Sequence, residues 1–150
     1  MEFASPVWNP WLRRDIDVLE RVQEKFVRNI SGLQAKTYED RLIEIELLSL
    51  SDRRIYLDLI EVFKILKGYV NLNYRDLFTT INDANRRSTR MTDCPYNIVG
   101  TRCNLDVRKN FFTMRIVGYW NDLPLDIKME SRLVTFKNKL KQHLLDSRLG

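Results

Sequence analysis

The stretch from Leu50 to Leu66 constrains this chain more than any other. Ile55, Tyr56, Leu57, Leu59, Ile60, Val62, Phe63, Ile65 and Leu66 recur so densely that a helix here is apolar around most of its circumference. Such a helix is stable in water only when other elements cover it on more than one side. Residues 50–67 are therefore expected at the centre of a multi-helix core. Ser49 stands before the run as an N-cap, Asp52 follows three residues on in a near capping box, and Gly68 marks the end.

Partners for that helix can be read from helical periodicity. Residues 12–30 place Ile16, Leu19, Val22, Phe26, Val27 and Ile30 on one face, and Ser31-Gly32 stops the helix. A shorter helix is expected over 38–46, capped by Thr37, with Leu42, Ile43 and Leu47 on its apolar side. Phe112, Ile116, Trp120 and Leu123 mark a helix over 111–123 that Pro124 ends. Ser131 is expected to cap a last helix over 132–145, with Leu133, Phe136, Leu140 and Leu144 as its buried stripe. A short helical piece is expected over 74–78. Residues 79–110 show no period; short extended pieces around 96–99 and 103–107 would pair as a hairpin.

The expected fold is mainly α: a small helical domain with an irregular or β-hairpin insert around 79–110. Sections 1–48 and 49–150 are expected to pack as one unit. Leu59, Phe63, Phe112, Ile116, Trp120, Phe136 and Leu140 should be buried together. Trp8 or Trp11 should be partly exposed, or the chain should self-associate through them.

Several chemistries find no residues to carry them. Two Cys cannot build a disulfide scaffold, and Cys94 and Cys103 read as ordinary thiols. Two Cys and one His fall one ligand short of a four-ligand zinc site. Five Gly leave no phosphate-binding Gly-rich loop. His143 sits beside an apolar stripe with Lys139 and Ser147 one turn away, so it has no second ligand or base partner. No pair of carboxylates stands out as a two-metal site. Catalysis, a metal and a cofactor are accordingly not expected. No run of about 18 apolar residues could span a membrane. Met1–Trp11 lacks the pattern of a secretory signal, so an intracellular compartment, nucleus or cytoplasm, is expected.

Charge is distributed unevenly. The whole chain carries a formal +5. Residues 1–48 hold seven basic and nine acidic side chains, 49–85 hold five and five, and 86–150 hold thirteen and six. The positive excess lies wholly beyond residue 85, an asymmetry that favours a polyanion partner. The candidate phosphate contacts are Arg86, Arg87, Arg90, Arg102, Arg108, Lys109 and Arg115, with Ser88 and Thr89 adding hydroxyls. Tyr96, Phe111 and Phe112 are candidate stacking faces, although periodicity turns Phe112 inward. The competing reading is a solvated loop with buried aromatics.

These blocks also carry a resemblance. They include Phe3-Ala4-Ser5-Pro6-Val7-Trp8-Asn9-Pro10, Leu19-Glu20-Arg21-Val22-Gln23, Tyr38-Glu39-Asp40-Arg41-Leu42 and Leu50-Ser51-Asp52-Arg53-Arg54. Asp58 to Leu66, Ser88-Thr89-Arg90, Val107 to Phe112, Trp120-Asn121-Asp122-Leu123-Pro124 and Phe136 to Leu140 follow. In that order the chain resembles the C-terminal end of the reverse transcriptase of non-LTR (LINE-type, jockey-like) retrotransposons. The resemblance covers nearly the whole chain, and its specificity lies in the order of the blocks rather than in any one of them.

The resemblance implies the end of the thumb, with Trp8, Pro10, Arg21 and Gln23, followed by a post-thumb domain with Arg90, Arg108, Phe111, Arg115, Trp120 and Pro124. The family's catalytic aromatic-any-Asp-Asp box is absent, and Tyr38-Glu39-Asp40-Arg41 is not a version of it. The family's Cys/His zinc knuckle is absent too. The expectation is a truncated, non-catalytic fragment of an RNA-directed DNA polymerase. It would bind RNA, DNA or RNA–DNA hybrid backbone weakly and without sequence preference. A missing upstream polymerase domain would be its other partner. The alternative is a helical protein–protein interaction module, or a non-functional remnant, with no nucleic-acid role.

Overall fold

The computed structural model describes residues 4–84 and 94–147. Among these, the helices in chain order are α1 (Ser5–Trp8), α2 (Arg13–Arg28), α3 (Tyr38–Glu44), α4 (Leu50–Leu66), α5 (Asp106–Lys109), α6 (Phe112–Asp122), α7 (Leu125–Lys128) and α8 (Leu133–Asp146). A 3₁₀ turn, Tyr74–Asp76, lies between α4 and α5. The fold is mainly α, with no β-strand among the described residues.

Helix α4 is the centre, in contact with α1, α2, α6 and α8. Its start is fixed locally: Ser49 Oγ accepts the Asp52 amide at 3.1 Å and donates to Asp52 Oδ2 at 2.7 Å. Its end is a Schellman turn. Gly68 takes φ 73°, its amide reaches Ile65 O, and the Tyr69 amide reaches Lys64 O.

Around α4 the main core gathers Leu59, Phe63, Ile116, Trp120, Phe136 and Leu140, each at most 1% exposed. Phe63 and Phe136 stack with ring centroids 4.0 Å apart. Phe112 differs from expectation: it is half-buried at the rim of the core, edge-on to Phe78. Val27, Leu33, Leu42 and Leu48 are buried outside this cluster, in the region of α2 and α3.

Helix α8 is capped otherwise than expected. Its N-cap is Arg132, not Ser131, and no side chain within the segment caps it. The Tyr69 hydroxyl takes that role from beyond α4, accepting the Leu133 amide and donating to Ser131 O.

The insert is irregular, and the expected pairing of 96–99 with 103–107 does not form. Both edges of 96–99 are already taken. Thr80 and Ile98 form an antiparallel bridge, flanked by bonds from the Ile81 amide to Asn97 O and from the Val99 amide to Thr79 O. On the opposite edge, the Asn121 carboxamide accepts the Ile98 amide and donates to Ile98 O, both at 2.9 Å. In extended backbone alternate residues point opposite ways, so neighbours on both sides satisfy the segment. Residues 106–109 then turn as α5 instead.

Candidate functional site

The basic candidates separate into three groups. Arg86, Arg87 and Arg90 lie outside the described residues. Arg102, Arg108 and Lys109 are exposed. Lys109 Nζ sits 2.8 Å from Asp106 Oδ1 across one turn of α5, and this pairing raises the Lys109 pKa and lowers that of Asp106. Arg102 and Arg108 have no ion pair among the described residues.

Arg115 stands apart from both groups. Its side chain is 14% exposed, and four of its hydrogen bonds run to the protein itself. Nε and Nη2 hold Asp58 at 2.9 and 3.2 Å, Nη1 donates to Asn110 O, and Nη2 also donates to Pro6 O. A guanidinium has five N–H donors, so little of this one is left for a phosphate. Arg115 joins α6 to α4 and to the N-terminal segment, and drops out of the exposed basic set.

The aromatic candidates divide in the same way. Phe111 is open at 59% exposure. Phe112 is turned onto Phe78, and Tyr96 lies under the Lys67 ammonium, 4.1 Å from the ring centroid. Trp8 and Trp11 are exposed, as expected.

A network of buried charge runs from α2 through α4 to α6, and the apolar pattern gave no sign of it. Glu20 of α2 accepts the Ser51 amide at 2.8 Å, the Leu50 amide at 3.3 Å, the Ser51 hydroxyl and the Tyr38 hydroxyl. It thus places a carboxylate on the positive end of α4. Arg54, 5% exposed, donates from Nη2 to Ser51 Oγ at 3.3 Å. One turn on, Asp58 is 1% exposed and held by Arg115. Burial pushes the Arg54 pKa down, against the charges of Glu20 and Asp58. Burial pushes the Asp58 carboxyl up, against the hydrogen bond and charge of Arg115. The available signal was an opposite-charge pair four residues apart, Arg54 and Asp58, on a helix that is apolar around most of its circumference.

A cleft of about 250 Å³ opens onto this network. Trp11 and Tyr119 lie among its walls, and Arg54, Asp58 and Arg115 line it. No group of three or more His, Cys, Asp or Glu among the described residues is arranged to hold a metal ion.

The second surface feature is α2 itself. Of the six residues expected on its buried face, Val27 is buried, whereas Val22 and Phe26 are 49% and 71% exposed. Val18 is 53% exposed, so Val18, Val22 and Phe26 form an open stripe at four-residue spacing. Arg21, Lys25 and Arg28 run along one edge of it, all exposed and with no ion pair among the described residues. The helix turns Val27 and the half-buried Ile16 and Leu19 to the protein, with the half-buried Ile30 just past its end, and leaves Val18, Val22 and Phe26 in water.

Comparison of the chain with family models, with curated proteins and with solved structures finds no match.

Proposed function

We propose that this protein is a non-catalytic helical module that works by docking onto another protein surface. The observation that supports this reading is the open stripe Val18, Val22 and Phe26 on α2. An apolar helix stripe left in water is a recognised mark of a protein contact. Combined with the resemblance, the reading becomes more specific. The module is the thumb-end and post-thumb part of a LINE-type reverse transcriptase, and the surface it seats on is that enzyme's polymerase domain.

Sedimentation of the chain across a concentration range tests this, with and without a separately expressed palm domain of that family. Association that Phe26→Glu abolishes, in a variant with an unchanged helical spectrum, supports docking. A chain that stays monomeric and does not bind the palm domain overturns it.

A second reading is weak, sequence-independent binding of a nucleic-acid backbone. Arg102 and Arg108 favour it, since both are exposed and unpaired among the described residues. Its test is the salt dependence of binding to a short duplex and to an RNA–DNA hybrid.

A further inference from the structure

The two buried arginines of the α4–α6 contact differ in one respect. Arg115 spends four hydrogen bonds on Asp58, Asn110 O and Pro6 O. Arg54, more deeply buried at 5% exposure, has one hydrogen bond among the described residues, to Ser51 Oγ. Glu20 and Asp58 compensate its charge from beyond ion-pair distance. A buried cation with most of its donors unused is costly, because it has given up water without gaining acceptors. Those donors are not sealed in: no Arg54 atom is among the described side-chain atoms that are enclosed without a partner. Arg54 lines the cleft together with Asp58 and Arg115.

The cleft itself limits the occupant. Its volume of about 250 Å³ lies just below the usual range for drug-sized ligands, roughly 300–1,000 Å³, which admits a one- or two-ring molecule. Trp11 and Tyr119, each half exposed, offer ring faces, and Ile16 and Ile55 add apolar wall. The charged groups that line the cleft are Arg54, Asp58 and Arg115, a net of one positive charge. A single carboxylate would balance it, whereas a dianionic phosphate would leave an uncompensated negative charge in a partly enclosed site. A guanidinium fork also matches a carboxylate in a bidentate pair.

We propose that this cleft binds a one- or two-ring aromatic carboxylate, with Arg54 holding the carboxylate and Trp11 and Tyr119 covering the ring. The group is supplied by a free small acid or by the C-terminal aromatic residue of a peptide; the chemistry is the same. This site is separate from the α2 stripe and stands whether or not the docking reading does.

The test is a titration of the full chain followed by amide and indole NMR signals. The probes are phenylacetate and indole acetate, each against its neutral amide, together with inorganic phosphate and peptides ending in free or amidated phenylalanine. The expected result is saturable shifts of the Trp11 indole and the Arg54 Nε–H, with a carboxylate bound about tenfold or more tighter than its matching amide, as a charge-assisted bond requires. Saturation by the free acids identifies a small-molecule site; saturation by the free-terminus peptide alone identifies a chain terminus. Arg54→Gln should remove the preference for acid over amide. Trp11→Ala, which leaves the buried charges in place, should weaken acid and amide alike and keep that preference. Equal binding of acid and amide, shifts that map elsewhere, tighter binding of phosphate, or no response to any carboxylate would overturn the proposal.

Discussion

Arg115 and Asp58 form a bidentate ion pair across the contact between α6 and α4, Nε to Oδ2 at 2.9 Å and Nη2 to Oδ1 at 3.2 Å. The same guanidinium also takes up Asn110 O and Pro6 O, so one side chain fastens three parts of the fold. Arg115→Met should therefore cost about 3–5 kcal/mol, the usual penalty for breaking a buried pair from one side. Asp58→Asn should cost less, since the amide keeps an acceptor for Arg115. Urea unfolding of both variants checks the order.

The pair also has a pH signature. Burial places the Asp58 pKa in the folded protein above its ordinary 3.8. In the window above 3.8 the folded state then holds a proton that the unfolded chain has released. The stability this carboxyl contributes is complete below that window and is lost as pH rises through the folded value. The stability of wild type relative to Asp58→Asn should fall with rising pH in the acid range. A difference that grows instead would mean that Arg115 outweighs the burial.

Glu46 adopts φ 49° at the end of α3, the position where glycine usually closes a Schellman turn. The turn is formed all the same, with the Leu47 amide on Leu42 O and the Glu46 amide on Ile43 O. Glu46 is exposed and carries no ion pair among the described residues. Glu46→Gly should stabilise the protein by about 0.5–1 kcal/mol, the left-handed strain relieved less the extra chain entropy. Thermal unfolding of the two proteins checks the sign.

What could be read from sequence was local. Thr37 and Ser49 cap their helices through bonds to residues three positions on, so the pattern alone finds them. Tyr69 capping α8 joins residues more than sixty apart, and no window along the chain contains both. The hairpin expectation failed for the same reason: Asn121, on α6, occupies one edge of 96–99. In the sequence Arg115 reads as a phosphate contact because it continues a basic run. Its partner Asp58 lies 57 residues away on a helix whose apolar pattern hides it. The periodicity of α2 was correct as geometry and silent on coverage, since amphipathicity does not say whether a partner lies within the chain.

Lys128 is 3% exposed, with Nζ donating to Asn97 Oδ1 at 3.0 Å and to Asn121 O. It joins α7 to the 94–99 segment and to the end of α6. Burial pushes its pKa below the ordinary 10.5, so between the folded value and 10.5 the unfolded chain binds more protons. Stability attributable to this group therefore rises with pH through that window. Wild type should gain on Lys128→Met as pH is raised through the alkaline range. Chemical denaturation at stepped pH reads this directly, and a gap that closes would count against the assignment.

The remaining prediction concerns nucleic acid. With Arg115 occupied, the contacts that could reach phosphates are Arg86, Arg87, Arg90, Arg102 and Arg108, with Lys109 shared with Asp106. Each neutralised phosphate adds roughly 0.9 to the slope of log K against log salt on duplex DNA, so five contacts set a ceiling of about 4.5. Arg102→Gln and Arg108→Gln should each lower the slope by about 0.9 and weaken binding alike for every sequence. Asp106→Asn should strengthen binding slightly, because it removes a carboxylate that repels phosphate and releases Lys109 from an exposed, weak pair. Arg115→Lys should leave the slope unchanged wherever the protein remains folded. Fluorescence anisotropy with a short duplex and an RNA–DNA hybrid over a salt series measures all four. A flat response, or none at low salt, would remove the nucleic-acid reading and leave docking through α2 as the remaining one.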